Sequence, residues 1–256
     1  MTRGVLLDLA GVLYDGDHAI DGSVEAINRL TAAGIPFRVI TNSTRSPRRK
    51  LLLKLEKMGF RISDDQLFTP ARAACDLLAL SGHKAHLLIH PDLAEDFPQT
   101  SDSGAGISVI IGDAAQFFTY DAMNAAFRAL TKGADLVALA NNRSFSDADG
   151  NLSIDMGAYV AALEYASGKQ ATVLGKPSPA FFNAALASMG VTARDAVMIG
   201  DDAEADVAGA LSAGIGRGIL VRTGKYRKGE EHRYAPSPHH VADTLSDAVT
   251  WLLTQG

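Results

Sequence analysis

Apolar and polar stretches alternate along this chain in the way that is typical of strands and helices following one another. Residues 4–9 form a short apolar run interrupted by Asp8, which indicates a strand buried on both faces. Residues 23–33 instead place apolar side chains at helical spacing, and Gly34 follows as a helix stop signal. The alternation continues almost to the C-terminus, so it predicts a largely parallel sheet with helices on both faces.

The other predicted elements form two sets, and the length of 256 residues allows one domain with an inserted second module. Further strands are predicted at residues 36–40, 85–89, 108–111, 136–140, 172–174, 196–199 and 218–221. Further helices are predicted at residues 47–58, 70–80, 93–97, 120–131, 156–166, 179–189, 205–213 and 245–253. Asp149-Gly150 is a hairpin turn signal, and residues 224–238 are predicted to be an exposed, mobile loop that continues to His239-His240.

Composition excludes several classes of protein. The net charge is −5, and the densest basic stretch, residues 45–50, opens a predicted helix, so we expect no nucleic-acid partner. No apolar run approaches the roughly 20 residues that cross a membrane, and the apolar strand follows Met1-Thr2-Arg3 too closely for a signal peptide. Cys75 is the single cysteine, which is typical of a reduced intracellular protein. These features predict a cytoplasmic location without membrane contact.

Polar residues stand where the predicted strands end. Asp8 closes the first strand, Thr41-Asn42 follow the second, Lys176 follows the strand at 172–174, and Asp201 follows the strand at 196–199. Ligands of open parallel sheets bind beside the carboxyl ends of the strands. We therefore expect Asp8, Thr41 and Asp201 to line one crevice.

The chemistry of these side chains suits phosphoryl transfer. Asp8 can attack phosphorus and form an aspartyl phosphate, and the acidic segment around Asp201 suits the oxygen coordination of Mg2+. Lys176 can neutralise a phosphate, and Thr41-Asn42 can donate hydrogen bonds to it. Each residue alone also has an ordinary interpretation, as a turn, a helix cap or a solvated charge. Together they predict a magnesium-dependent enzyme of phosphoryl transfer.

Four segments, in their order along the chain, resemble the motifs of the haloacid dehalogenase superfamily of phosphatases. They are the strand ending in Asp8, Thr41, Lys176-Pro177, and the segment from Gly200-Asp201 to Asp206. Five stretches also resemble one member of its nitrophenylphosphatase-like, NagD-like branch, which acts on phosphoramidates and pyrophosphate. These stretches are residues 4–8, 11–15, 173–179, 198–202 and 221–225. The resemblance implies a Rossmann-like doubly wound core of residues 1–80 and 170–256, with a smaller α/β cap of the C2 type inserted at 81–169. It also implies a homodimer formed through the cap.

The resemblance further implies roles for individual residues. Asp8 would be the nucleophile, and Asp8, Asp201 and the backbone carbonyl of Ala10 would hold Mg2+. Asp206 would orient either metal-bound water or Lys176. The phosphoryl group would be bound by Asp8, Leu9, Ala10, Thr41, Asn42 and Lys176. In the predicted cap, Arg143 can be read either as a binder of a second anionic group or as an ordinary surface arginine.

Ala10 departs from the pattern of the family, which usually has a second Asp there as general acid and base. Such proton transfer typically contributes about 10²–10⁴ in rate. An imidazole leaving group, with a conjugate-acid pKa of about 6.5, needs it far less than an alkoxide does. We therefore expect a phosphoramidate such as phosphohistidine or phospholysine, or pyrophosphate, as substrate, either as a small molecule or on a protein side chain. A phosphomonoesterase for a small metabolite and a weakly active phosphate-binding regulatory protein are the alternatives.

Overall fold

The computed structural model describes residues 2–97, 106–146 and 151–255, and it divides into two units. Unit 1 comprises Met1–Thr41, Arg49–Phe68 and Lys176–Gly256, and unit 2 comprises Asn42–Arg48 and Thr69–Gly175. This division assigns residues 69–80 to unit 2, whereas the predicted core includes them. The domain boundaries at 80 and 170 stay a prediction.

Strands and helices alternate in the described chain. The strands are β1 Gly4–Asp8, β2 Tyr14–Asp15, β3 His18–Ala19, β4 Phe37–Ile40, β5 Leu67–Phe68, β6 Lys84–Leu88, β7 Ile107–Ile111, β8 Asp135–Ala138, β9 Ser144–Ser146, β10 Leu152–Ile154, β11 Thr172–Val173, β12 Ala196–Gly200, β13 Arg217–Val221 and β14 His240–Ala242. The α-helices are α1 Ser23–Ala32, α2 Arg48–Lys57, α3 Pro70–Ser81, α4 Tyr120–Thr131, α5 Gly157–Ser167, α6 Pro179–Ala187, α7 Gly209–Ser212 and α8 Leu245–Thr254. Short 3-10 turns cover Pro91–Asp96, Ala115–Phe117, Ala193–Asp195 and Glu230–His232, and a π-helical turn covers Ala203–Ala208.

The sheet of unit 1 is parallel and has the order β14-β13-β12-β1-β4-β5. Strand β1 lies in the middle and is buried along its whole length, as its apolar sequence predicts. From β1 the chain crosses over to β4 on one side of the sheet, and it later returns to β12 on the other side of β1. The direction of the crossovers therefore reverses at β1. In open α/β sheets this reversal opens a crevice at the carboxyl ends of the strands.

Helices cover both faces of this sheet. Val5 and Leu7 of β1 belong to the same buried cluster as Leu30 of α1 and Val249 of α8. On the other face, Leu220 of β13 packs with residues of the π-helical turn. The predicted doubly wound α/β fold is therefore confirmed.

Unit 2 has its own parallel sheet with the order β11-β8-β7-β6, and its core includes residues of α4 and α5. Strands β9 and β10 pair antiparallel, as the hairpin signal predicts. The signal itself, Asp149-Gly150, lies outside the described residues. No helix of the described chain combines the length and the apolar character needed to cross a membrane. The predicted homodimer and cytoplasmic location stay predictions.

Sequence patterns were wrong or incomplete at short elements. A single helix was expected at residues 205–213, but the chain forms the π-helical turn and then α7. Strands β2, β3, β5 and β14 were missed, because two or three residues are too few to show periodicity. His240 was expected in a solvated loop, but it begins β14 and stacks on Trp251 with ring centroids 4.5 Å apart.

Candidate active site

The strand-end residues of unit 1 come together as expected from the sheet. Asp8 is the last residue of β1, and Asp201 directly follows β12, the strand beside it. Thr41 follows Ile40, which pairs with Asp8 across β1 and β4, and Thr41 is buried. Carboxylate oxygens of Asp8, Asp201 and Asp206 all lie within 4.8 Å of one another.

Lys176 joins two of these carboxylates. Its Nζ donates hydrogen bonds to Oδ1 of Asp8 and, over 2.7 Å, to Oδ1 of Asp206. Burial disfavours the charged ammonium, but the charges of Asp206 and Asp8 outweigh that effect and raise the pKa of Lys176. Lys176 therefore carries its positive charge deep in the protein.

The negative charge of the carboxylates exceeds the positive charge of Lys176. Three carboxylates and one ammonium leave a formal charge of −2 in this buried cluster. Burial, reinforced by the charge of Asp206, raises the pKa of Asp201 to about 6. Burial likewise raises the pKa of Asp206 to about 6 and raises that of Asp8, although Lys176 opposes both shifts. A divalent cation would correct this imbalance.

The hydrogen bonds show which oxygens are available to such a cation. Both oxygens of Asp206 are engaged, since Oδ1 accepts from Lys176 and Oδ2 accepts from the backbone N–H of Asp202 over 3.2 Å. Oδ1 of Asp201 is buried and has no hydrogen-bond partner among the described residues. An unpaired buried carboxylate oxygen is costly unless an ion satisfies it. The cluster therefore fits a hard cation such as Mg2+, held through Asp8 and Asp201 rather than Asp206.

Local backbone structure brings Asp206 to Lys176. The side chain of Asp202 accepts from the backbone N–H groups of Glu204 (3.1 Å) and Ala205 (2.9 Å), which caps the π-helical turn. The turn passes so close to β12 that a Cβ on Gly200 would lie 2.3 Å from Cβ of Asp206. π-Helical turns occur often at functional sites, and this one holds a buried carboxylate.

The segment at residues 223–225 is part of the site, although no role for it was predicted. The backbone N–H of Lys225 donates to Oδ2 of Asp201 over 2.7 Å, and its Nζ reaches Oδ2 of Asp202 at 3.3 Å. Sequence reasoning treated residues 224–238 as an exposed loop. The available signal was that residues 221–225 belong to a stretch resembling the family.

The other predicted residues lie in different surroundings. Leu9 is buried, whereas the side chain of Ala10 is exposed and carries no ionisable group. Asn42 and Arg143 belong to unit 2, where Arg143 is exposed and its carbonyl accepts from the N–H of Asp155. Roles for these residues in binding stay predictions.

Comparison with known proteins agrees with this arrangement. Residues 5–100 match the family model described as haloacid dehalogenase-like hydrolase, and residues 173–248 match a HAD-hydrolase-like model. The chain is 43% identical to phospholysine phosphohistidine inorganic pyrophosphate phosphatase of Rattus norvegicus, over 98% of this chain and 94% of the relative. It is 42% identical to haloacid dehalogenase-like hydrolase domain-containing protein 2 of Bos taurus, over 98% of this chain and 96% of the relative.

A solved structure has the same fold. The p-nitrophenyl phosphatase of Archaeoglobus fulgidus superimposes with a TM-score of 0.85 at 24% identity, over 98% of this chain and 99% of that one. The predicted Rossmann-like α/β fold is therefore confirmed, and the family models and relatives confirm the predicted resemblance to the haloacid dehalogenase superfamily.

Proposed function

This chain belongs to the haloacid dehalogenase-like hydrolases, and we propose that it is a magnesium-dependent phosphatase of activated phosphoryl groups with Asp8 as its nucleophile. The observation that carries the proposal is the buried cluster in which Lys176 joins Asp8 to Asp206 beside Asp201. Buried carboxylates with strongly raised pKa values beside a specific charge partner are typical of functional sites.

In the proposed reaction, a carboxylate oxygen of Asp8 attacks phosphorus. The bond from phosphorus to the leaving atom breaks, the leaving group departs with the electron pair, and an acyl phosphate forms on Asp8. Water then attacks this phosphorus, which releases inorganic phosphate and restores the carboxylate. Lys176 favours the ionised form of Asp8 and offsets the charge of the incoming phosphoryl group, while Asp206 holds Lys176 in place.

Other groups at the same edge would bind the phosphoryl oxygens. We assign the hydroxyl of Thr41 and the backbone N–H groups of Leu9 and Ala10 as donors to them, with Asn42 as the next donor along the chain. A magnesium ion held by Asp8, Asp201 and the backbone carbonyl of Ala10 would supply positive charge to the phosphoryl oxygens.

The proposed substrate class follows from Ala10. Because Ala10 can neither give nor take a proton, a substrate whose leaving group departs readily without protonation suits the site best. Phosphorylated histidine and pyrophosphate meet this condition, and phosphorylated lysine meets it when its nitrogen has already taken a proton from water, so that it leaves as a neutral amine. The name of the rat relative includes the same substrates. Sequence identity does not decide the substrate, since a relative with a different name is almost equally similar.

A substrate screen tests this proposal. Purified protein with excess magnesium is assayed for phosphate release from pyrophosphate, imidazole phosphate, phospholysine and a set of sugar phosphates. We expect kcat/KM to be highest for the first three compounds. A preference for a sugar phosphate would establish the phosphomonoesterase alternative instead. Phosphate binding without turnover of any compound would establish the regulatory alternative.

Restoring an acid at position 10 should change this preference. The side chain of Ala10 is exposed, so Ala10→Asp is expected to fold normally and to raise kcat/KM on alkyl phosphates about 10-fold or more, since general acids typically contribute about 10²–10⁴. Substrates with good leaving groups should gain less. Ala10→Asn is the matched control, because it has nearly the same shape but no acid.

The restored Asp could also act as a base in hydrolysis of the acyl phosphate. Rapid mixing separates the two steps, since the burst reports phosphorylation of the enzyme and the later slope reports its hydrolysis. Equal acceleration of all substrates, or the same gain with Ala10→Asn, would contradict the leaving-group argument.

A further inference from the structure

The turn at residues 223–225 is held against both Asp201 and the loop that follows β1. Oγ1 of Thr223 donates a hydrogen bond to the carbonyl oxygen of Gly11, and the N–H of Lys225 donates to Oδ2 of Asp201 over 2.7 Å. The turn is therefore hydrogen-bonded both to the loop that follows Asp8 and to the carboxylate of Asp201 after β12.

Two glycines make this close approach possible. Gly224 has φ of 58° and Gly11 has φ of 84°, a region that favours glycine. A Cβ on either glycine would lie 2.0 Å from Oδ2 of Asp201, and a Cβ on Gly224 would also lie 2.5 Å from Cα of Gly11. The backbone thus encloses Oδ2 from two sides.

The two oxygens of Asp201 consequently have different roles. Oδ2 is enclosed by Gly11 and Gly224 and bonded to a backbone N–H, whereas Oδ1 is the oxygen without a partner among the described residues. We propose that residues 223–225 form a positioning clamp, which holds Asp201 so that Oδ1 is the oxygen presented to the cation. The inference rests on the proposed function in taking Asp201 as a magnesium ligand.

The clamp predicts that Thr223 affects magnesium affinity without contacting the ion. Groups that orient a metal ligand typically contribute about 10–100-fold to metal affinity. Thr223→Val keeps the shape but removes the hydroxyl, so we expect the Kd for magnesium to rise about 10-fold. Thr223→Ser keeps the hydroxyl and should bind magnesium within about twofold of the wild-type value. Titration calorimetry with magnesium chloride, without substrate, measures these constants on the full chain.

A second pair of variants tests the glycine. Gly224→Ala should weaken magnesium binding at least about 10-fold, because its Cβ displaces Oδ2 of Asp201. Gly229→Ala is the matched control, since Gly229 lies in the same loop with φ of 94° and no atom of residues 2–97, 106–146 or 151–255 lies within 4 Å of its Cβ position. Both replacements place alanine at positive φ, so a shared loss of melting temperature reports backbone strain alone.

The outcomes distinguish the clamp from the proposed function. If wild type binds magnesium and Thr223→Val binds it equally well, the clamp is wrong and the function is unaffected. The clamp is also wrong, and the function unaffected, if Gly229→Ala weakens magnesium binding as much as Gly224→Ala does. Should Gly224→Ala fail to fold, the comparison of Thr223→Val with Thr223→Ser decides. If wild type does not bind magnesium, the metal dependence of the proposed function is wrong, and the clamp with it.

Discussion

Asp8→Asn is expected to lower phosphatase activity by at least about 10³-fold, because the amide cannot attack phosphorus as a carboxylate can. The variant is nearly isosteric, and removing one negative charge from an overcharged cluster should not lower the melting temperature of the metal-free protein. Initial rates on the best substrate of the screen, measured beside thermal unfolding, test this result.

Trapping of the intermediate makes the assignment specific. Acid quenching during turnover should yield wild-type protein carrying one phosphoryl group on the peptide that contains Asp8, and none on the Asn variant. Asp15→Asn is the control, since Asp15 is an exposed carboxylate of the same segment and should retain near-normal activity. Turnover by Asp8→Asn within tenfold of wild type would remove Asp8 from the role of nucleophile.

Asp201→Asn is expected to have opposite effects on stability in chelator and in magnesium. The folded protein raises the pKa of Asp201 from 3.8 to about 6, so the ionised carboxylate destabilises the metal-free fold. The neutral side chain contributes stability that is present below pH 3.8 and is lost as the pH rises through about 6. In chelator at pH 7.5, Asp201→Asn should therefore have a free energy of unfolding greater than that of wild type by up to about 3 kcal/mol, and near pH 4 the difference should vanish.

In magnesium the order should reverse. A ligand at 1,000 times its Kd stabilises a protein by about 4.1 kcal/mol. This gain exceeds the advantage of up to about 3 kcal/mol that Asp201→Asn has in chelator, and the variant should lose most of it together with its metal-dependent activity. Denaturant unfolding with and without magnesium measures both effects, and Glu25→Gln, an exposed acid on α1, is the control. If the variant is stabilised by magnesium as much as wild type is, Asp201 is not a ligand.

The strand-end residues could be predicted because their signal is local. A short apolar run identifies a buried strand without knowledge of its neighbours, and parallel strands necessarily bring their carboxyl ends to one edge. Asp8 and Asp201 were assigned to one crevice on that basis, and the structure places their carboxylates together. The order of these motifs also identified the family.

The contacts among these residues could not be predicted in the same way. Sequence reasoning left open whether Asp206 acts on water or on Lys176, and the observed hydrogen bond to Lys176 depends on an irregular π-helical turn. The role of residues 223–225 was missed because a loop rich in charge and glycine resembles an exposed linker. It was also missed because the partners of this segment lie more than 20 residues away in sequence.

The sequence by itself determined the order and type of the main elements, the edge of the sheet that carries the polar residues, and the absence of an acid at Ala10. Each of these depends on residue identity or on short-range periodicity. Only the tertiary structure decided which oxygen of Asp201 is bonded and which has no partner in the part of the chain that the structure describes. That distinction requires the loop after β1 and the turn after β13 to meet at Gly11 and Gly224. The contact between these two segments depends on their backbone dihedral angles and on the packing of the whole sheet, which no local sequence pattern encodes.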